Sequence, residues 1–244
     1  MLLSRSSKYV ASILILLSFA GIASAAIVAP PAPDFHMIMQ VGATASYPLL
    51  GTVTPIPDGD KWKYQIDGTY NQHGYEMTLQ FVIEPDPSVF GNVTIRNTLA
   101  TTQDYTFTFT LPVAPAFSPS LLNGSVGLTA TADATPAIVA STAPDPIYSA
   151  LIDGSTVKKL LDHPFALSAP SFDSAVTTDR FGLPIPVAGG AVTTDIGIKL
   201  HFNVTPGDQA AITSQFTANP VPEPSSLLSL ALGSLALLHR SRRK

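Results

Sequence analysis

The stretch DIGIKLHFNV, residues 195–204, alternates between apolar and polar side chains. Successive side chains of a β-strand point to opposite faces of the sheet, so a period of two marks a strand with one buried face and one solvated face. Half-buried strands of this kind are typical of antiparallel sheets. The apolar set of the stretch is Ile196, Ile198, Leu200, Phe202 and Val204.

Three more segments repeat this pattern, and clusters of turn residues lie between them. Pro-rich and Asp-Gly clusters at 55–60, 84–87, 112–119 and 143–146 supply the turns, and residues 156–161 are the one candidate for a helical turn. The sequence therefore predicts an all-β fold, an antiparallel β-sandwich of about 10 strands. The alternating apolar residues are Trp62, Tyr64 and Ile66, then Met77, Leu79, Phe81 and Ile83, then Tyr105, Phe107, Phe109 and Leu111.

Length and composition limit how this sandwich is organised and stabilised. Residues 26–220 suit one domain, although a break within the Pro-rich residues 136–146 would divide them into two. The chain has no cysteine. A hydrophobic core without disulfides must therefore stabilise it, and cysteine nucleophiles and thiolate metal sites are excluded.

The body of the chain is acidic. Between residues 26 and 220 it has seven basic and 16 acidic residues, a net charge of −9. Nucleic-acid binding needs clustered Lys and Arg, so we expect no nucleic-acid partner. The same charge disfavours adhesion to anionic lipid. Neutral glycans, cations or no ligand at all remain compatible with it.

Residues 1–25 are typical of a secretory signal peptide. A basic start and an apolar run at 10–22 precede Ala23 and Ala25, the two small residues of an A-x-A cleavage site. We expect cleavage after Ala25 and export by the general secretion machinery.

Residues 221–244 end the chain with a Pro-Glu-Pro triplet, an apolar run and a basic cluster. Pro222 and Pro224, on either side of Glu223, stop any preceding strand or helix. The next 14 residues, 225–238, would form a helix of about 21 Å, short against a hydrocarbon core of ~30 Å. We expect a weak or transient span of the inner membrane with a positive stop on the cytoplasmic side; the alternative is a helix packed on the body. The stop consists of Arg240, Arg242, Arg243 and Lys244.

The three parts of this tail, in this order at the extreme carboxyl terminus, resemble a PEP-CTERM sorting signal. The resemblance implies a bacterium with an outer membrane and an exopolysaccharide-producing envelope. It also implies that an exosortase recognises the tail and removes it near the Pro-Glu-Pro triplet, so that the body is released or attached at the surface. Family members carry very different bodies, so the tail implies no biochemical activity.

The body is similar to the bodies of PEP-CTERM proteins that have no assigned activity. The similarity lies in the order of blocks from Glu84 to Ala218, among them Glu84-Pro85-Asp86-Pro87 and the segment 147–154. It favours a single domain and implies no activity.

Few residues of the body combine into a recognisable site. No two histidines have zinc-ligand spacing, and we interpret His201, on the polar face of its strand, as a surface histidine. The Asp-Gly-Asp turn at 58–60 lacks the further ligands that calcium needs. Glu76 and Glu84 would lie ~27 Å apart along one strand, too far for a glycosidase pair. We therefore predict no catalytic residue, no metal and no cofactor.

Trp62 and Tyr64 alternate along one strand, so they could form an aromatic platform for a sugar ring, although such residues more often belong to a core. Taken together, the sequence predicts an exported, exosortase-sorted protein without enzymatic activity. Its expected role is structural or adhesive and is associated with exopolysaccharide. A carbohydrate-binding module is the alternative, and a polysaccharide-acting enzyme is the weaker third.

Overall fold

The computed structural model describes residues 29–43, 46–72, 74–84 and 87–221. The predicted signal peptide and the sorting tail, with its short hydrophobic helix, lie outside these residues. Within the described ranges there is no helix that could span a membrane. The predicted positions outside them are Ala23, Ala25, Pro222, Glu223, Pro224, Arg240, Arg242, Arg243 and Lys244.

Sixteen β-strands and no helix make up the regular structure of the described residues. The all-β prediction is therefore confirmed for this part of the chain. The strands are β1 His36–Val41, β2 Tyr47–Pro48, β3 Thr52–Asp58, β4 Lys61–Gln72, β5 Tyr75–Glu84, β6 Ser88–Asn97, β7 Gln103–Pro112, β8 Ser120–Thr131, β9 Ala137–Ser141, β10 Tyr148–Ile152, β11 Ser155–Leu160, β12 Ala166–Ala169, β13 Ser174–Phe181, β14 Val187–Gly189, β15 Asp195–Val204 and β16 Gln209–Pro220.

The strands form two antiparallel sheets of eight strands each. Sheet A has the order β11-β10-β15-β7-β1-β2, and β9 joins it by pairing with β15 and with β12. Sheet B has the order β13-β8-β16-β6-β5-β4-β3, and β14 pairs with β8. In sheet A, β9 and β10 lie end to end along β15. In sheet B, β13 and β14 lie end to end along β8.

The two sheets pack through the apolar faces that the alternation predicted. All five apolar residues of β15 are fully buried, and they belong to one continuous core cluster with those of β5 and β7. Phe81 of β5, in sheet B, stacks on Phe107 and Phe109 of β7, in sheet A, with ring centroids 5.5 and 4.8 Å apart. These rings connect the sheets, as expected for a sandwich without disulfides.

The strand number is higher than the predicted ten or so, because several strands lack the alternation used to find them. Five are only two to five residues long: β2, β9, β10, β12 and β14. A sixth, β3, passes through Pro55 and Pro57, where the sequence predicted a turn. Because β3 is the edge strand of sheet B, one side of it needs no backbone N–H, and proline is tolerated there.

The helical turn predicted at residues 156–161 is wrong, since most of this segment belongs to strand β11. Asp153 and Gly154 connect β10 to β11 with φ values of 50° and 71°. Two successive positive φ values are what a two-residue type I′ hairpin turn requires. The hairpin therefore places the segment in sheet A, and Val157 packs against the core.

Replacing Phe81 by Ala should lower the free energy of unfolding by about 3–5 kcal/mol, because the ring is fully buried between the sheets. Urea unfolding followed by circular dichroism measures the change. Phe172 is 81% exposed, so Phe172→Ala is the control and should shift the free energy by no more than about 0.5 kcal/mol. Equal effects of the two substitutions would contradict the inter-sheet role of Phe81.

Candidate functional site

The aromatic pair predicted as a sugar platform lies on the inner face of β4. Tyr64 is 2% exposed, and its hydroxyl donates a hydrogen bond to the carbonyl oxygen of Pro30 at 2.9 Å. Trp62 is partly buried and packs against the core. A sugar ring needs an accessible aromatic face. A platform at this position would therefore depend on Trp62 alone.

Three of the acidic residues weighed in the sequence, Asp58, Glu76 and Glu84, take part in ion pairs at the surface. Lys63 Nζ lies 3.0 Å from Asp58 Oδ2 and 2.8 Å from Glu84 Oε1. Glu76 Oε2 lies 3.7 Å from an Arg96 guanidinium nitrogen. Within the described ranges, no three His, Asp or Glu side chains converge as a metal site would require. Exposed pairs of this kind contribute little to stability.

A more ordered group of polar side chains surrounds His201 on the outer face of sheet A. We call it the His201 cluster: Asp104, Thr142, Asp145, Lys199 and His201. The imidazole Nε2 lies 3.0 Å from Asp104 Oδ2, and Nδ1 lies 2.9 Å from Asp145 Oδ2. Lys199 Nζ donates to the same Asp145 oxygen at 2.6 Å, and the Thr142 hydroxyl donates to Asp104 Oδ1 at 2.6 Å. The side chain of His201 is only 14% exposed, which corrects its interpretation as a plain surface histidine.

The cluster favours a charged imidazolium between two carboxylates, because an imidazole donates from both nitrogens only when protonated. Hydrogen bonding to Asp104 raises the pKa of His201; burial opposes the rise, and Asp145 adds to it. Burial alone would raise the pKa of Asp104, but hydrogen bonds from His201 and Thr142 lower it below its ordinary value. The Lys199 hydrogen bond is the main cause of the lowered pKa of Asp145, and His201 contributes further.

The His201 cluster holds a connecting segment against sheet A. Thr142 and Asp145 belong to the chain between β9 and β10, which crosses the outer face of β15. At the end of β9, Ser141 Oγ lies 3.0 Å from His163 Nδ1 and accepts a hydrogen bond from the Phe165 backbone N–H. A carboxyl group that acts as a general acid needs a raised pKa, whereas the pKa values of both carboxyl groups in the cluster are lowered. The hydrogen bonds of the cluster suit a structural clamp between this segment and sheet A.

The outer face of sheet B contains an open groove of about 990 Å³. We call it the β8/β16 groove, because those two strands form its floor. Gly127 and Ala211 lie at the middle of the floor. Val176, Thr178, Arg180 and Leu183 lie on the β13 side, and Asn92 and Thr94 of β6 lie on the other.

Neither the His201 cluster nor the β8/β16 groove was predicted from the sequence. His201 and Asp104 lie on the polar faces of two strands that the alternation did identify, but the pairing of β15 with β7 brings them together across 97 residues. Asp145 belongs to a segment that the sequence identified only as a turn. The groove depends on the order β13-β8-β16-β6, which no local pattern indicates.

The His201 cluster should stabilise the protein only within a limited pH window. The raised pKa of His201 means that its contribution is complete below its ordinary value of 6.5 and is lost as the pH rises through the folded-state pKa. The pKa values of Asp104 and Asp145 are lowered, so their contributions to stability are complete above the ordinary carboxyl pKa of 3.8. These contributions are lost as the pH falls through the folded-state pKa values. All three contributions are therefore present together between about pH 4 and pH 6.5.

His201→Asn should accordingly lower the free energy of unfolding by about 1–2 kcal/mol at pH 5.5 and by much less at pH 9. Urea unfolding at the two pH values measures this difference. His36→Asn, at an exposed position at the start of β1, is the control. An effect of His201→Asn that is the same at both pH values would contradict the charged cluster.

The comparisons with known proteins concern mainly the tail. The family model of the PEP-CTERM protein-sorting motif matches residues 220–244. No curated protein matches the chain. Among solved structures, the chain is similar to a family 11 carbohydrate-binding module from Clostridium thermocellum in complex with a β-1,3-1,4-mixed-linked tetrasaccharide. The two share 12% identity over 72% of this chain and 99% of the module, with a TM-score of 0.24. A likeness of that size carries no argument about this protein.

The motif match confirms the resemblance that the tail showed in the sequence. It covers the Pro-Glu-Pro triplet, the apolar run and the basic end, and it begins at the last residue of β16. The chain thus carries a PEP-CTERM sorting motif behind a β-rich body, and it is an exported protein of the cell envelope or surface.

Proposed function

We propose that the protein is a non-enzymatic component of a bacterial exopolysaccharide matrix, with a structural or adhesive role. The observation that carries this proposal is the PEP-CTERM sorting motif at residues 220–244. Such a tail resembles those of exported proteins in exopolysaccharide-producing bacteria, and this resemblance supports a role for the body where that polymer is abundant. The cysteine-free sandwich is compatible with a building or adhesive element that needs no redox partner.

The proposed route has two processing steps. The general secretion machinery exports the chain, and cleavage after Ala25 removes the signal peptide. The tail then holds the body at the inner membrane transiently, with the basic residues 240–244 on the cytoplasmic side. An exosortase removes the tail near Pro222, Glu223 and Pro224, and the body leaves for the surface or the matrix.

The electrostatics of the body support a role without catalysis. The two carboxylates next to His201 are Asp104 and Asp145, and their lowered pKa values suit ion pairing more than proton donation. A polysaccharide-acting enzyme of the common kind needs one carboxyl with a raised pKa. The net charge of −9 for residues 26–220 disfavours nucleic acid as a partner.

A carbohydrate-binding module is the second candidate, and the β8/β16 groove favours it. The groove is wide enough for a ligand, and neutral polar side chains contribute six of its 13 lining residues. The two candidates share one requirement, which is that the body associates with the polymer around the cell. They differ in whether that association is the whole function or serves a larger assembly.

Intact mass spectrometry of the protein from cells with and without their exosortase tests the sorting step. With the enzyme, the protein should begin at Ala26, end near Val221 to Pro224 and lie outside the membrane. Without it, the protein should retain Lys244 and stay in the membrane fraction. Retention of Lys244 in both strains would contradict sorting by an exosortase and would leave a plain anchor or a packed helix.

Fractionation of the matrix tests the proposed site of action. The processed protein should co-sediment with the exopolysaccharide of its own cells, and digestion or removal of that polymer should release it. A mutant strain that makes no exopolysaccharide is the matched control, and there the protein should be soluble in the medium. Equal release from both strains would contradict an association with the polymer.

A further inference from the structure

Gly127 at the floor of the β8/β16 groove has no packing reason to be glycine. Glycine weakens a strand interior, and where it persists it often marks a close approach by another backbone or by a ligand. A Cβ added at Gly127 would meet nothing closer than the methyl of Thr178 at 3.8 Å, an ordinary contact. Any small side chain would therefore fit at this position without moving the protein.

Five other glycines lie in strands of the described residues, and all five differ from Gly127 in this respect. A Cβ added at any of them would collide with a neighbouring atom. At Gly124 it would lie 2.7 Å from the ring of Phe181, and at Gly197 it would lie 2.6 Å from the Phe109 carbonyl oxygen. Packing explains those five glycines and leaves Gly127 unexplained. The remaining three are Gly68, Gly91 and Gly189.

Gly127 keeps the floor of the groove low at the centre. Strand register places it in one row with Thr178, Thr213 and Asn92. Ala211, the smallest side chain of the next row, lies diagonally beside it. The two walls on β13 and β6 are three strand spacings apart, about 14 Å between backbones. The result is a trough that runs parallel to β8 and β16.

The trough is lined by polar groups that the described part of the chain leaves without partners. Thr213 Oγ1 donates to Asn92 Oδ1 at 3.0 Å, so the Asn92 side-chain N–H groups are free to donate. The hydroxyls of Ser125, Thr129 and Thr178 make no hydrogen bond within the described ranges. The Arg180 guanidinium likewise has no ion pair there. Each of these groups can bond to a ligand without breaking a contact inside the protein.

We propose that the β8/β16 groove binds a neutral polysaccharide chain that lies along β8 and β16. This inference rests on the proposed function, because sorting to the surface is what would bring the body into contact with the polymer. Hydroxyls and a side-chain amide, which both donate and accept, match the hydroxyls of a sugar chain. Val176 and Leu183 are 66% and 40% exposed on one wall and present apolar surface to the C–H faces of the sugar rings.

Charge decides between a neutral and an anionic occupant. Arg180 is the one cationic side chain among the groove residues described above, and the body around it has a net charge of −9. A polyanion needs several cations along its path, and the body would repel it over longer distances. A neutral polymer meets no such cost, and Arg180 can donate to its hydroxyl and ring oxygens.

Affinity electrophoresis of the secreted protein in native gels tests the proposal. The probes are the neutral and the acidic fractions of exopolysaccharide purified from the same cells, each cast into a gel. The neutral fraction should retard the protein. Gly127→Leu, which fills the floor, should weaken retardation by about tenfold or more. Thr178→Val, which removes one hydroxyl, should weaken it by about fivefold.

Gly190→Leu is the matched control, because a side chain added at Gly190 meets nothing within 4 Å and this loop lies outside the groove. Its retardation should equal that of the wild type. Circular dichroism of each variant shows whether the fold is kept. If Gly127→Leu misfolds, Thr178→Val and Arg180→Gln provide the test with smaller changes at exposed positions.

The outcomes separate this inference from the proposed function. If Gly127→Leu and Thr178→Val are retarded as strongly as the wild type, the groove is not the binding site, although the matrix association stands. If Trp62→Ala then abolishes the retardation, the binding site lies at β4. Stronger retardation by the acidic fraction overturns the neutral ligand. If neither polysaccharide fraction retards the wild-type protein, and the protein also fails to co-sediment with the matrix, both the groove and the proposed function are overturned.

Discussion

The stack of Phe81 on Phe107 and Phe109 is the contact on which the rest of the structure depends, because it joins two sheets that no disulfide connects. In each strand the buried residues alternate with outward ones, so the core also determines what the surface presents. Leu200 and Phe202 are fully buried on either side of His201. A slip of one residue in β15 would turn His201 into the core and its clamp would be lost.

The same alternation explains which parts of the fold a reader of the sequence can predict. The period of two is strong in β5, β7 and β15, where large apolar residues face a core on one side only. It is absent in β12, whose sequence is Ala-Leu-Ser-Ala, and it is masked in β10, which is buried on both faces. The pairing of these strands depends on their neighbours in the sheet. The Asp-Gly turn at residues 153–154 did carry a local hairpin signal, which outweighs the helical appearance of the residues after it.

The two outer faces show why the sites themselves could not be predicted. Asp104, Asp145 and His201 come from three separate parts of the chain, and only the sheet topology gives them a common neighbour. The groove has the same origin, since Gly127 of β8 can be recognised as part of a groove only when β13 and β6 are known to lie on either side of it. The tail differs, because its three parts are consecutive in the chain, and the sorting motif was therefore recognisable from the sequence alone.

Strand β16 ends against the sorting motif without a spacer. It is an interior strand of sheet B; Pro220 still pairs with Ser120, and the Val221 N–H donates to the Pro119 carbonyl oxygen at 3.1 Å. If an exosortase cuts near Pro222, as proposed, the backbone on the body side of the cut is already hydrogen-bonded within the sheet. Removal of the tail would then require the end of β16 to open first. The rate of that opening would limit how fast the body leaves the membrane.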